Sequence, residues 1–238
     1  MSSIRGVIWG RPERAARGPA PSLSREQITT AAIELADTRG IAAVSMRALA
    51  VELGVGAASL YRYVARKDEL IDLMVDAVMG NDLQFEVRGD WREDLRSLAQ
   101  GLRAMTLRHP WMAVPSAGLH SLGPNTARRY EQVLSAIDGL GLGIDEMLVM
   151  VETLDAYVRG RALEELSEQE AVRRSGLDHE QWMQTQLPYI KSLIESGRYP
   201  LLTRVFDARA PHDPDRLKHG FDLGLERVLD GLATMLPE

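Results

Sequence analysis

The stretch SMRALAVELGVGAASLYRYVARKDEL, from Ser45 to Leu70, decides the fold of this 238-residue chain. Its first part predicts a helix, because apolar residues recur at the spacing of one helical face and Ser45 stands at the N-cap position. Gly54 can adopt the left-handed conformation that ends a helix and turns the chain sharply. Ala50 precedes this glycine by four residues and Leu60 follows it by six. This spacing of a small residue, a turn glycine and an aliphatic residue predicts a helix-turn-helix.

The second helix of the motif presents a small, polar and basic face. If Leu60 points inward, a rotation of about 100° per residue turns this face outward. Such a face fits the major groove of DNA, where arginine can bind guanine or phosphate and a methyl group can contact thymine. Tyrosine and lysine suit phosphate oxygens. We predict DNA contacts from Ala58, Ser59, Tyr61, Arg62, Tyr63 and Lys67; taken alone, the pattern also fits an ordinary helical hairpin with a solvated basic face.

The surrounding residues 24–80 resemble the DNA-binding domain of the tetracycline-repressor (TetR) family of bacterial transcription regulators. The most specific match is the run Leu60-Tyr61-Xaa-Tyr63-Val64, followed by Lys67 and Leu70. The other matching residues are Ile28, Ala31, Ala32, Leu35, Gly40, Ser45, Arg47, Leu49, Ala50, Gly54, Val55 and Ile71.

The resemblance implies that a helix over residues 57–63 enters the major groove and that the tyrosines and the lysine bind phosphates. It adds Ser45, Arg47 and Ala57 to the predicted DNA contacts. Serine stands at position 45, where threonine is commoner in the family. Because the start of the recognition helix, Gly56-Ala57-Ala58, offers no side-chain hydrogen bond, base recognition would depend on Ser59, Arg47, Arg62 and apolar contact.

The charge of the chain is divided unevenly between its two ends. Net charge is −6, but residues 1–67 hold ten Lys or Arg against five Asp or Glu, whereas the rest holds 18 against 29. A basic end joined to an acidic body suits a protein that meets phosphate at one end only. The chain has no cysteine, which excludes disulfides, zinc–thiolate sites and thiol catalysis. We expect a cytoplasmic protein without a signal sequence or membrane span, since no 18-residue apolar run occurs.

The order of the patterns predicts an all-α chain in three parts. Residues 1–22, rich in Arg, Pro, Gly and Ala, are expected to form a disordered basic arm that either contacts DNA or is a solvated tail. Residues 23–80 form the helix-turn-helix domain, whose first helix is marked by the capping box Ser24-x-x-Gln27. A polar hinge at 81–90 opens a helical domain, residues 81–238, with helices predicted over 91–109, 124–137, 144–174, a segment capped by Asp178, and 214–235.

The long helix and the last helix carry apolar residues at alternating spacings of four and three. This rhythm is typical of a coiled-coil seam, and surplus apolar surface on a terminal helix indicates a subunit interface. We predict a homodimer held by Val151, Leu154, Val158, Phe221, Leu225, Val228 and Leu232.

Residues 91–236 also resemble the ligand-binding, dimerising half of one TetR-like subfamily. The matches include His109-Pro110-Trp111, Gly123-Pro124 and, most specifically, Phe221-Asp222-Leu223-Gly224-Leu225 followed by Leu229-Asp230-Gly231-Leu232. The resemblance implies a four-helix bundle with a second subunit and a pocket enclosed by the helices from 91 to 174.

Methionines and aromatic residues cluster in this half and suit a pocket for a mostly apolar small molecule, although ordinary core packing explains them as well. The predicted pocket residues are Met105, Trp111, Met112, His120, Met147, Met150, Tyr157 and Trp182.

The sequence contains none of the enzyme motifs that we considered. The sequence has no G-x-S-x-G elbow, glycine-rich phosphate loop or HExxH, and its five histidines form no metal-ligand pattern, so we predict neither catalysis, cofactor nor metal. The function expected is a ligand-responsive repressor that binds palindromic double-stranded DNA as a homodimer. The alternatives are a DNA-binding dimer without a small-molecule effector and a helical enzyme.

Overall fold

The structure, a computed structural model, describes residues 8–11, 23–83, 85–113, 122–177, 179–208 and 216–237. These residues form helices and connecting turns, and no strand occurs among them, as the sequence predicted. The helices are α1 (Arg25–Arg39), α2 (Met46–Glu52), α3 (Ala57–Leu60), α4 (Lys67–Asn81), α5 (Trp91–Arg108), α6 (Pro124–Ile137), α7 (Ile144–Ser175), α8 (His179–Glu195), α9 (Pro200–Ala208) and α10 (Arg216–Ala233). Short 3₁₀ turns cover Ile8–Gly10, Ile41–Ala43 and Pro110–Met112.

The amino-terminal helices pack around one apolar centre. The Ser24 hydroxyl accepts from the Gln27 amide and the Gln27 side chain accepts from the Ser24 amide, so the predicted capping box begins α1. The inner face of α1 packs on α2 and α4, burying Ile28, Ala32, Leu35, Leu49, Leu60, Val64, Leu70 and Met74.

The helix α4 joins the two halves of the chain, because it packs on α1 at one side and on α6 at the other. It continues to Asn81, one residue into the predicted hinge. Beyond it, α5, α7 and α10 pack together and bury Leu95, Met150, Leu154, Phe221 and Leu225. None of the helices among the described residues combines the length and apolar character that crossing a membrane requires.

Four predicted features need correction or lie outside the described residues. The recognition helix was expected over residues 57–63, but α3 ends at Leu60. The last helix begins at Arg216, and Pro214, its predicted start, lies outside the described residues, as does the predicted cap Asp178.

The fourth feature is the amino-terminal arm. Disorder was predicted throughout residues 1–22, yet Ile8 is buried, Trp9 packs against the core and Arg11 pairs with Glu69 at 2.5 Å. The prediction is wrong for Ile8–Arg11, because burial of this short apolar segment and its ion pair compensate for the entropy lost on ordering. The rest of the arm lies outside the described residues.

Candidate nucleic-acid interface

The turn between α2 and α3 has the geometry that the glycine predicted. The Ser45 hydroxyl accepts from the Ala48 amide at 3.1 Å and begins α2. Gly54 has φ +64°, a conformation that strains a residue with a β-carbon, and the next amide, of Val55, donates to the Ala50 carbonyl at 2.9 Å. The turn therefore closes over Ala50, which is buried where α2 and α3 meet.

The recognition segment is one helical turn followed by tighter turns. The amides of Arg62 and Tyr63 donate to the carbonyls of Ser59 and Leu60 at 3.3 and 2.9 Å, which continues the segment in a 3₁₀-like path. The aromatic and β-branched residues that follow Leu60 have modest helix propensity, which explains the early end of the α-helix.

The predicted DNA-binding residues lie on the outer side of this motif. Leu60 is buried, as predicted, Val64 is buried as well, and both anchor the segment. The exposed members of the set are Ser45, Arg47, Ala58, Tyr61, Arg62 and Lys67, while Ala57, Ser59 and Tyr63 are half-buried. Within the part of the chain that the structure describes, neither Arg47 nor Arg62 has a carboxylate in ion-pair range. Their charge is thus available to a polyanion.

A buried carboxylate supports the recognition segment from behind. Glu69, in the first turn of α4, is 3% exposed and accepts from the Ala65 amide at 2.9 Å and from Arg11 at 2.5 Å. Burial raises the pKa of this carboxyl, but the Ala65 amide and then Arg11 outweigh burial and hold its pKa below the ordinary value. Glu69 therefore stays ionised and fixes the end of the recognition segment.

Arg25 of α1 supports the same segment through a second contact. Its Nε donates to the Tyr63 carbonyl at 3.2 Å, and a terminal nitrogen donates to the Arg11 carbonyl at 2.8 Å. Neither Arg25 nor Glu69 was predicted from the sequence to support the interface. A glutamate at the third position of a helix was a usable signal for Glu69, since this position often binds an amide just before the helix.

The junction between the two halves contains a buried histidine between two carboxylates. His109, 5% exposed, lies with Nδ1 2.9 Å from Asp37 of α1 and Nε2 3.1 Å from Asp82 after α4. The Trp111 indole donates to the same Asp37 carboxylate at 2.7 Å. The end of α5 is thereby tied to both α1 and the end of α4.

A second junction joins α4 to the start of α6. Gly123 at the N-cap of α6 has no side chain to cap the helix, and Asp76 of α4 supplies the missing acceptor. Its carboxylate accepts from the Thr126 amide and hydroxyl at 2.8 and 2.9 Å and from the Asn125 amide at 3.3 Å. A β-carbon at Gly123 would collide with this carboxylate. Movement of α6 must therefore act on α4.

The structure does not bring the predicted pocket residues together around one cavity. Met105, Met147 and Met150 are buried in the core shared by α5 and α7, and Met112 is half-buried. Trp182 is 48% exposed on α8, and His120 lies outside the described residues. None of the predicted residues lines either of two cavities, of about 440 Å³ beside α10 and about 520 Å³ at the end of α4. The pocket therefore stays a prediction.

Trp111 and Tyr157, both predicted to line the pocket, make polar contacts elsewhere. Trp111 faces Asp37 of the DNA-binding half, as described above. The Tyr157 hydroxyl donates to the Phe221 carbonyl at 2.6 Å, and burial raises the pKa of this phenol. Tyr157 thus ties α7 to α10.

Most of the predicted dimer residues lie inside the protomer. Leu154, Val158, Phe221, Leu225 and Leu232 are between 1% and 4% exposed, because α7, α10 and α5 pack on one another within the chain. The prediction that these five residues contact a second subunit is wrong, because almost none of their surface is left for a second subunit to bury. Val151 and Val228 are half-buried and remain available.

Comparison with known proteins agrees with this architecture. Residues 28–74 match the family described as bacterial regulatory proteins, tetR family, and residues 86–236 match the tetracyclin repressor-like C-terminal domain. The HTH-type transcriptional repressor DrrR1 of Streptomyces coeruleorubidus is 36% identical over 98% of this chain and 85% of its own length. An HTH-type transcriptional regulator of Saccharopolyspora erythraea is 33% identical over 96% of this chain and 92% of its own.

Among solved structures, the TetR family protein ActR of Streptomyces coelicolor in complex with actinorhodin has 29% sequence identity and a TM-score of 0.72. The match covers 91% of this chain and 98% of ActR. Apo ActR matches with a TM-score of 0.68 over 88% of this chain and 96% of its own. With matched domains in both halves and relatives alike over nearly their whole length, the chain belongs to the TetR family of DNA-binding transcriptional regulators and is not an enzyme.

Proposed function

We propose that this protein is a repressor that binds a palindromic operator as a homodimer and is released by a small, mostly apolar ligand. The observation that carries the DNA-binding part is the cluster of exposed Arg47, Tyr61, Arg62 and Lys67 on a motif held rigidly from behind by Glu69. Two copies related by a two-fold axis would place their recognition segments in successive major grooves, roughly 34 Å apart or a multiple of it.

Dimerisation is supported by apolar surface that the protomer leaves uncovered. Leu223 is 69% exposed on the side of α10 opposite Phe221 and Leu225, and Leu148, Val149 and Leu163 are exposed on α7. Apolar residues exposed on neighbouring helices favour an interface with a second copy. We therefore replace the predicted seam by the outer faces of α7 and α10, with Val151 and Val228 at the edge.

Release by a ligand is supported by the two junctions. An effector that moves α5 or α6 would displace α4 through the Asp76 contact and α1 through the His109 contact. Such an effector must bind the two arrangements with unequal affinity, and couplings of about 1 to 3 kcal/mol are usual. The structure of ActR in complex with actinorhodin supports a small-molecule effector for this chain.

The second candidate is a DNA-binding dimer that has no small-molecule effector. It is favoured by the close packing of Met105, Met147 and Met150, which the sequence assigned to a pocket. A panel of apolar metabolites separates the two candidates: a saturable rise in melting temperature together with loss of DNA binding supports release by ligand.

The test of DNA binding is selection of bound sequences from random double-stranded DNA by the full-length protein. We expect enrichment of an inverted repeat, and binding affinity should fall steeply as salt rises, because phosphate contacts release counterions. Retention of random sequences without a repeat, or a flat salt dependence, contradicts the proposal.

A further inference from the structure

A cavity of about 520 Å³ lies where the end of α4, the loop after it, α5 and α6 meet. Three arginines line it: Arg88 of the loop and Arg128 and Arg129 of α6. The other polar groups at its wall are mostly neutral, including Asn125 and Gln132, and Glu86 is the one carboxylate that lines it among the described residues. The cavity therefore carries an excess of positive charge.

Among the residues that the structure describes, the three guanidinium groups have no acidic partner. Within the described ranges, no carboxylate lies in ion-pair range of Arg88, Arg128 or Arg129. The acceptors that the described residues offer Arg129 are neutral: the carbonyls of Met79 and Phe85 at 3.4 and 3.1 Å and the Gln132 side chain at 3.0 Å. Arg128 donates to the Asn125 side chain at 3.3 Å.

The arginines of the adjacent helix α5 are bound differently. Arg92 and Arg96 both contact Glu226, at 3.0 and 2.6 Å, and Arg103 contacts Glu165 at 2.6 Å. These three half-buried arginines of α5 each face a carboxylate, which offsets the cost of desolvating the charge. Arg129, which is half-buried, is the exception, whereas Arg88 and Arg128 are exposed at the cavity.

Two effects lower the pKa of Arg129. The larger is burial, and the second is the positive charge of Arg128. An anion bound beside Arg129 would offset both effects, since opposite charge favours the protonated guanidinium.

We propose that this cavity is a binding site for a small oxyanion, a carboxylate or a phosphate. The planar guanidinium group presents paired N–H donors that match either anion. The volume of the cavity is that of a small-molecule site. DNA phosphates are unsuitable occupants, because Gly80 at the cavity lies thirteen residues from Lys67 at the DNA-binding end, which is about 20 Å along α4.

The test measures binding of inorganic phosphate and, separately, of citrate to the full-length protein by calorimetry and thermal melting, with ionic strength held constant by chloride. We expect a saturable heat and a rise in melting temperature with at least one of them. Response to phosphate alone assigns a phosphate ligand, response to citrate alone assigns a carboxylate, and both support the site.

Variants locate the binding. Arg88→Ala and Arg128→Ala remove charge without removing the structural bonds that Arg129 makes, and each should weaken anion binding at least about tenfold. Arg173→Ala, at an exposed arginine on α7, is the matched control and should leave binding unchanged. Absence of binding beyond the chloride response, or equal affinity in the two cavity variants and the parent, overturns the site. These readouts need no DNA, so they are independent of operator binding.

Discussion

The carboxylate of Asp76 in α4 accepts hydrogen bonds from the amide and hydroxyl of Thr126 in α6, at 2.8 and 2.9 Å. Through this contact, a side chain of α4 in the DNA-binding half caps the N-terminus of α6 in the other half. Any rearrangement that separates α4 from α6 exposes unpaired amides of α6, which costs free energy. The two helices are therefore expected to move together.

Replacing Asp76 by alanine tests this connection. Asp76→Ala leaves the start of α6 without its acceptor, and we expect the free energy of unfolding to fall by about 2 to 4 kcal/mol, since several hydrogen bonds to a buried charge are lost. Urea unfolding measures the loss. Glu131→Gln, at an exposed position of α6, is the control and should change stability by less than about 0.5 kcal/mol. Equal stability of the two variants would show that Asp76 does not join the helices.

Arg62 provides the sharpest test of the DNA contact. Arg62→Ala should weaken operator binding about 5- to 150-fold, with circular dichroism unchanged, because its side chain is exposed and makes no ion pair within the described residues. Fluorescence anisotropy at several salt concentrations measures the loss of operator affinity. A phosphate contact lowers the salt slope by about one, whereas a base contact relaxes sequence preference at one position. Arg39→Ala, an exposed arginine at the end of α1, should bind like the parent.

Glu226 predicts part of the acid sensitivity of the carboxy-terminal half. Hydrogen bonds from Arg96 and then Arg92 lower the pKa of this carboxyl from 4.5 to about 2, although burial opposes them. Its contribution to stability is therefore fully present above pH 4.5 and is lost as pH falls towards 2. Melting temperature of Glu226→Gln should depend less steeply on pH in this range than that of the parent. If melting temperature depends on pH equally in the two proteins, Glu226 does not cause the acid sensitivity.

Local signals in the sequence predicted the helices and the turn well. Ser24 with Gln27, and Gly54 with Ala50, act within a few residues, so their spacing is visible in the chain. The pairs that hold the functional parts together are distant instead: Asp37 lies 72 residues from His109, and such contacts leave no periodic trace.

The dimer seam failed for a different physical reason. Apolar residues at spacings of four and three predict that a helix needs a partner, but they do not say whether the partner is another helix of the same chain. Here α10 uses Phe221 and Leu225 against α7 and α5 of its own protomer. The inner and outer faces of α10 can be told apart only from the burial of each side chain in the structure.

That distinction leads to a direct test of the oligomeric state. Leu223 is 69% exposed on the outer face of α10, so Leu223→Asp adds a charge where a second copy would bury apolar surface, and we expect light scattering to give the 26.4 kDa monomer. Val51→Asp, at a 78% exposed position of α2, should leave the parent's oligomeric state unchanged. Leu225→Asp, at a buried position, should lower the melting temperature instead of only separating subunits. Dimers that persist in Leu223→Asp would place the interface on another surface.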